Sequence, residues 1–362
     1  MTDLLFSPLK CGNMELQTRI VMAPLTRFRN DDDGSPIADL APLHYAQRSV
    51  YPGTLLIAEA TDISAISGTY RNAPGVYTEK QIAAWKKVTD AVHAKNSYIF
   101  VQLWAIGRVN PGKIVKEIVG ASAIKSEEGF AVPRPLEIDE IVQFEDAFAD
   151  AAKHAIEAGF DGIEIHGAHG YLVDQFLQDV SNTRTDIYGG SIENRARFMF
   201  NILQKTTAAI GPERVAIRLS PFAEAQGMKM ADPYPTFSYV VSRLQQEHPD
   251  LAYVHMVEPR VSGVVARSVQ AGETTDDYRK LWKGVWVAAG GFTPENAAAY
   301  ITKFPDNTLI AFGRHFISNP DLVLRVKEGI PFRPYDRSKF YTNKRPEGYI
   351  DYEYAPQFKS KF

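Results

Sequence analysis

Eight short apolar runs punctuate the chain, at 19–24, 54–60, 98–103, 160–166, 215–220, 253–257, 285–290 and 309–313. Each is nearly continuous in apolar residues, the pattern of a strand covered on both faces. Between the runs the period lengthens to that of an amphipathic helix. Ile82, Trp85, Val88, Thr89 and Val92 share one face of 79–94. Ile141, Phe144, Phe148, Ala152 and Ala155 do so in 139–158, and Ala196, Met199, Phe200 and Leu203 in 192–210. Helical patterns over 172–180, 234–248, 276–283, 294–304 and 320–329 complete the alternation. Strands and helices alternating in this way predict an α/β fold, a closed parallel TIM (β/α)8 barrel. An open doubly wound sheet is the runner-up, but no Gly-x-Gly-x-x-Gly turn opens a helix.

Two stretches fall outside the alternation. Residues 104–138 are too long for a simple loop, and the β-like run 114–119 within them predicts an excursion after strand 3, a β-hairpin over the barrel mouth. Residues 331–362 carry Tyr335, Phe340, Tyr341, Tyr349, Tyr352 and Tyr354. A disordered tail is poor in aromatics, so this one is expected to pack back on the barrel. The chain therefore reads as one domain, 1–362. Its length alone would allow two, but barrels use such lengths as a single unit.

Charge and composition narrow the partners. A net charge of −3 offers no electrostatic footprint for nucleic acid or an anionic membrane surface. No run approaches the roughly 20 apolar residues of a membrane span. The first residues lack the basic region and long apolar core of a signal peptide. The one cysteine, Cys11, permits neither an internal disulfide nor a Cys-based zinc site. A reducing, cytoplasmic setting fits.

In a barrel, chemistry sits at the carboxyl ends of the strands. The fourth run ends in the densest polar cluster, Glu-Ile-His-Gly-Ala-His-Gly-Tyr at 164–171. His166 and His169 have a spacing that could suit a metal, but the candidate further ligands Glu164, Asp174 and His255 do not obviously converge, so no metal is expected. Neutral imidazole N–H groups could instead donate to a substrate oxygen and stabilise charge developing there. Tyr171, with an ordinary pKa near 10, would be protonated and able to act as a general acid toward a carbanion-like carbon. Gln102 ends the third run and offers a donor and an acceptor; Arg218 in the fifth offers donors only. A buried Arg218 requires an anion or an electron-rich oxygen, with Glu164 or Glu59 as competing salt-bridge partners. Gly290 and Gly291 follow the seventh run, and Gly313 and Arg314 the eighth. Glycines and an arginine in these two loops make the usual phosphate site of the fold.

These residues stand in longer motifs. They include Ala-Pro-Leu-Thr-Arg at 23–27, Glu-Ala-Thr at 59–61, Ala-Pro-Gly-Val-Tyr at 73–77 and Val-Gln-Leu-Trp at 101–104. Gly-Phe-Asp-Gly-Ile-Glu-Ile-His-Gly-Ala-His-Gly-Tyr-Leu spans 159–172, Asp-Gln-Phe-Leu 174–177, Tyr-Gly-Gly-Ser-Ile-Glu-Asn-Arg 188–195 and Ala-Phe-Gly-Arg 311–314. In order and number they resemble the Old Yellow Enzyme family over nearly the whole chain. The resemblance implies an FMN-dependent NAD(P)H oxidoreductase, an NADPH dehydrogenase or ene-reductase. Such an enzyme reduces the C=C bond of activated alkenes in a ping-pong mechanism, with hydride from flavin N5 and a proton from Tyr171. It implies tightly bound, non-covalent FMN and NADPH or NADH as reductant, in a monomer or homodimer.

By the same resemblance Pro24, Leu25, Thr26, Ala58, Gln102, His166 and Arg218 would contact the flavin ring. Thr26 would tune the flavin, and Gly290, Gly291, Gly313 and Arg314 would hold its phosphate. His166 and His169 would bind the carbonyl or nitro oxygen of the substrate. Trp104, Tyr70, Gln226 and Tyr341 would shape the pocket, with Ala225 leaving it roomier than in relatives that have an aromatic there. Other subgroups carry Cys where Thr26 stands, or Asn where His169 stands. Some relatives with Phe at the position of Tyr171 act as isomerases. A flavin-free, phosphate-binding barrel lyase or isomerase, a flavin-binding protein without turnover and an isomerase of secondary metabolism remain the alternative readings.

Overall fold

The eight apolar runs do close on themselves. The structure, a computed structural model, describes residues 3–110, 117–263 and 265–358. The chain opens with β1 (Leu9–Cys11), β2 (Met14–Leu16) and β3 (Ile20–Met22), then α1 (Ala41–Arg48), β4 (Leu55–Asp62), α2 (Glu79–His93) and β5 (Tyr98–Trp104). After β6 (Val119–Gly120) and β7 (Arg134–Pro135) come α3 (Ile138–Glu157), β8 (Gly162–Gly167), α4 (Leu172–Leu177) and α5 (Ile192–Ile210). Then follow β9 (Val215–Leu219), α6 (Tyr234–Glu247), β10 (Tyr253–Val257), β11 (Val261–Ser262), β12 (Val265–Ala266) and α7 (Asp276–Leu281). The last elements are β13 (Trp286–Ala289), α8 (Pro294–Lys303), β14 (Thr308–Phe312), α9 (Arg314–Ser318) and α10 (Leu322–Glu328). Strands β3, β4, β5, β8, β9, β10, β13 and β14 form a closed parallel barrel in that order.

Side-chain alternation sorts the strands' residues into two layers. Val21, Leu55, Ile57, Phe100, Tyr253, Val287 and Leu309 fill the interior. Their neighbours Ile20, Leu56, Ile99, Val254 and Ile310 face the helices. The helices present the stripes their periodicity predicts: Ile82, Trp85, Val88, Thr89 and Val92 are buried on α2, and Ile141, Phe144, Phe148, Ala152 and Ala155 on α3. Thr78 caps α2 in a reciprocal box with Gln81, and Thr293 caps α8 with Asn296.

The bottom of the barrel is stoppered by the β1–β2 hairpin, which the sequence reading did not anticipate. Cys11, Met14 and Leu16 join the interior layer, while Lys10 and Glu15 face water. Gly12, at φ +54, lets the turn press against the backbone of Glu213, whose carbonyl oxygen would lie 2.1 Å from an added Cβ.

Two expectations need correction. The excursion after β5 is not a hairpin among the described residues. β6 pairs with β7 in parallel, so the chain crosses over between them instead of turning back. Part of the β-like run, 114–116, lies outside the described residues. The excursion flanks the mouth: Arg108 donates to the Ile124 and Gln226 carbonyls, and Gln226 N–H donates to Glu127. The second correction concerns Ala58. A bulge between Ala58 and Ala60 resets the phase of β4. Ala58 is left in the layer facing the helices, while Ala60 packs with Trp104 and Ile106 under the mouth.

Residues 331–358 are tied to the barrel by buried cations. Arg27 donates to the carbonyls of Phe340 and Gly348, and Arg29 to those of Lys339, Phe340 and Glu347. Tyr349 stacks on His44 at 3.8 Å between ring centroids. Backbone carbonyls are the main partners of these guanidiniums, with the buried Glu59 near Arg27 and Arg29.

Candidate active site

A cavity of about 530 Å³ opens at the carboxyl ends of the strands. It gathers Pro24, Leu25 and Thr26 after β3, Gln102 and Trp104 from β5, and His166, His169 and Tyr171 from the end of β8. Arg218 of β9, Gly290 and Gly291 after β13, and Gly313 and Arg314 after β14 line the same space, as do Tyr70, Gln226 and Tyr341. Of the residues expected at the flavin or the pocket, Ala58 and Ala225 do not line it.

The loop after β8 is fixed from below. Asp174 on α4 accepts the Gly170 N–H at 2.9 Å and the Gln178 amide at 2.8 Å. Gln175 donates to the Ile106 and Gly170 carbonyls and accepts the Arg108 N–H, bolting this loop to the one after β5. His169 sits at φ +55, and its N–H donates to Ser220 Oγ at 2.8 Å. Gly170, at φ +77, has Met228 and Gln226 so close that a Cβ would meet them at 2.7 and 3.0 Å. The backbone here is held in a left-handed turn that few residues tolerate.

This turn sets three rings against one another. Tyr171 meets Trp104 edge-on at 4.7 Å and His166 at 4.8 Å, and His166 meets His169 at 6.2 Å. Burial pushes the His166 and His169 rings well below the usual histidine range, and the Arg218 charge adds to it. Both are neutral at pH 7, with one N–H donor each. Burial pushes the Tyr171 hydroxyl up to about 12, against the opposing pull of Gln226 and Tyr70. It therefore keeps its proton.

The neighbouring strand adds a cation, since Arg218 on β9 is the register partner of His166. Arg218 lines the cavity, its Nε has no partner, and it makes no ion pair with Glu164 or Glu59. Burial holds its pKa below the usual range, opposed by Glu164. A buried guanidinium whose Nε has no hydrogen-bond partner among the described residues calls for a ligand with an electron-rich oxygen. Arg314 lies against the Tyr335 ring at 5.4 Å, beside Gly291 and Gly313, at the end suited to a phosphate. The donor set thus fits a phosphorylated, planar heteroaromatic cofactor: Gln102 and Arg218 toward the ring's polar edge, Gly290, Gly291, Gly313 and Arg314 toward the phosphate. Among the described residues no group of three His, Cys, Asp or Glu side chains could hold a metal ion.

Residues 4–333 match the NADH:flavin oxidoreductase / NADH oxidase family. The Old Yellow Enzyme from Pichia sp. AKU4542 superposes with a TM-score of 0.91 at 38% identity, over 98% of this chain and 95% of that one. The chain belongs to the Old Yellow Enzyme family. Chanoclavine-I aldehyde reductase fgaOx3 of Penicillium roqueforti (strain FM164) is 47% identical over 98% of this chain and 97% of its own. Morphinone reductase, solved in complex with tetrahydroNAD, has a TM-score of 0.88 at 37% identity, over 97% of each chain. The chain is thus a flavin-using oxidoreductase with a nicotinamide reductant. No helix among the described residues is long and apolar enough to cross a membrane.

Several lining residues went unforeseen. Phe28, at φ +57 between the buried Arg27 and Arg29, packs on Tyr70 and Tyr341 at 5.9 and 5.5 Å. Val261 and Ala266 of the β11–β12 pair and His315 of α9 also line the cavity. Phe28 alone left a trace in the sequence, as the apolar residue interrupting Arg27 and Arg29.

Asp62 ends β4 with its carboxyl pushed up to about 8 by burial. Glu59 and Asp174 are raised to about 7, also by burial. Raised carboxyls favour the folded state when protonated, so their contribution is complete below the unfolded value and is lost as pH rises through the folded one. Between pH 7 and 8 Asp62 is the last of the three still to ionise. Asp62→Asn should therefore abolish a stability loss of about 1 kcal/mol between pH 7 and 8. Urea titrations at the two pH values check this; equal losses in both proteins would contradict it.

Proposed function

We propose that the chain is an FMN-dependent ene-reductase, reducing the C=C bond of alkenes conjugated to an aldehyde, ketone, imide or nitro group at the expense of NADPH or NADH. One observation carries the reading: a protonated Tyr171 and two neutral histidines meet at the end of β8, beside the buried Arg218, the register partner of His166 on β9. Bound FMN would supply the two-electron chemistry, accepting hydride from the nicotinamide and returning it to the alkene.

The protein's own groups then have distinct tasks. Pro24, Leu25 and Thr26 would flank the ring, and Arg218 would favour negative charge on its polar edge. His166 and His169 would each donate an N–H to the substrate's carbonyl or nitro oxygen, drawing electrons from the conjugated carbons. Tyr171 would deliver its proton to the carbon next to that activating group. Trp104, Tyr70, Gln226, Phe28 and Tyr341 would bound the pocket. The name of the 47%-identical relative, an aldehyde reductase, supports aldehydes within the substrate class.

An anaerobic absorbance spectrum tests the reading. Flavin bands in the purified protein should bleach with NADPH and return on addition of 2-cyclohexenone. Bands that bleach and stay bleached would overturn the alkene as substrate. Absence of flavin uptake, even from added FMN, would overturn the flavoprotein and leave a phosphate-binding barrel lyase or isomerase.

A further inference from the structure

Beneath the cavity floor lies a polar chain that these roles leave unused. Glu164 on β8 is fully buried and faces away from the helices. Its Oε1 accepts from Gln102 Nε2 at 2.7 Å and its Oε2 from His255 Nδ1 at 2.7 Å. Gln102 and Glu164 are register partners on neighbouring strands. His255 stands two strands away on β10, where it pairs in register with Arg218. Glu164 therefore spans the barrel from the strand of Gln102 to the strand of His255.

A carboxylate has acceptors only, whereas a glutamine amide has one end of each kind. Glu164 is held in its ionised form despite burial, by His255 and by the nearby charge of Arg218. Facing it, Gln102 must present its NH₂. The reversed amide would set two acceptor oxygens against each other between fully buried side chains, which is costly. The choice of amide orientation is thus dictated by the partner's chemistry. What remains for the cavity is the Gln102 carbonyl oxygen, a fixed acceptor, with the second amide N–H in a fixed place beside it, near Arg218, which can only donate.

We infer that Glu164, braced by His255, is a positioning residue that locks Gln102 as a hydrogen-bond acceptor, so that the site selects a ring presenting an N–H beside a carbonyl. An imide edge has that donor and acceptor side by side, and the pyrimidine edge of a flavin is such an imide. The inference rests on the flavoprotein reading above.

The test strips the holoenzyme of flavin and titrates it with FMN and with 3-methyl-FMN, which lacks the imide N–H. The wild-type protein should prefer FMN by about ten-fold or more, the worth of a buried hydrogen bond. In Glu164→Gln the facing amides can pair in either orientation, and the preference should fall to about three-fold or less. A merely structural Glu164 would weaken both flavins alike and leave the ratio unchanged, which overturns the inference. Gln102→Ala gives a second reading if Glu164→Gln does not fold: the preference should vanish, and a retained ten-fold ratio would overturn the inference. Equal binding of both flavins by the wild-type protein would also defeat it while sparing the flavoprotein reading. No binding of either would defeat both.

Discussion

Tyr171→Phe should split the catalytic cycle. Reduction of the flavin by NADPH should change by no more than about two-fold, whereas reoxidation by 2-cyclohexenone should slow by about 10²-fold to 10⁴-fold, the worth of a positioned general acid. The substitution keeps the ring that packs on Trp104 at 4.7 Å and His166 at 4.8 Å, and removes only the hydroxyl. That hydroxyl interacts with Gln226 and Tyr70, so its loss should cost the fold about 1 kcal/mol, small beside the kinetic effect. Stopped-flow measurement of the two half-reactions separates the outcomes. Unchanged alkene reduction would remove Tyr171 from its role; equal slowing of both halves would indicate a disturbed pocket. The pH profile adds a second check. With the hydroxyl raised to about 12, the proton is in place throughout the neutral range and is lost only as pH approaches that value. The alkene half-reaction should therefore show no decline from Tyr171 between pH 6 and 9.

The barrel was legible because its strands are buried on both faces. Continuous apolar runs such as 253–257 reappear as strands with nearly the same bounds, here Tyr253–Val257. The site was legible for a related reason: polar residues packed at the ends of apolar runs have little reason to be there except chemistry. His166, His169, Tyr171, Gln102 and Arg218 all stand in that position.

What escaped the sequence depended on contacts that local pattern does not encode. α1 buries His44, Tyr45 and Arg48, whose bonds run to distant backbone groups, His44 to the Tyr349 carbonyl, Arg48 to those of Phe316 and Ile317, and the Tyr45 hydroxyl to the Glu59 N–H, so its stripe does not read as apolar. β1 and β2 are three residues each, too short to show a period. Ala58, expected at the flavin by resemblance, stands before the bulge on the helix-facing phase of β4, and the bulge brings Ala60 inward instead. Glu164 and His255 lie 91 residues apart, and neither their pairing nor its consequence for Gln102 follows from spacing. Phe28 is turned to the cavity by a loop whose arginines are held by carbonyls more than 300 residues away.

His166→Ala together with His169→Ala should weaken phenol binding to the oxidised holoenzyme by about 10²-fold or more, since each hydrogen bond to a charged oxygen is worth 1.5–3 kcal/mol. A phenolate offers one anionic oxygen, as a substrate does when charge gathers on its carbonyl, and so reports on the donors without turnover. The two rings lie 6.2 Å apart, at 83° to each other, close enough to act on one oxygen. Each single substitution should cost about ten-fold, and the two need not add because they share that oxygen. Their protonation decides the pH dependence. Burial and Arg218 hold both rings well below the usual histidine range, so neither gains a proton as pH falls from 8 toward 6. Affinity should then follow the phenol's own ionisation, rising with pH and levelling above its pKa, with no histidine step between 6 and 7. Binding that strengthens as pH falls through 6.5 would mean imidazolium donors instead. Unchanged affinity in the double variant would make both histidines packing residues and leave substrate activation to Arg218.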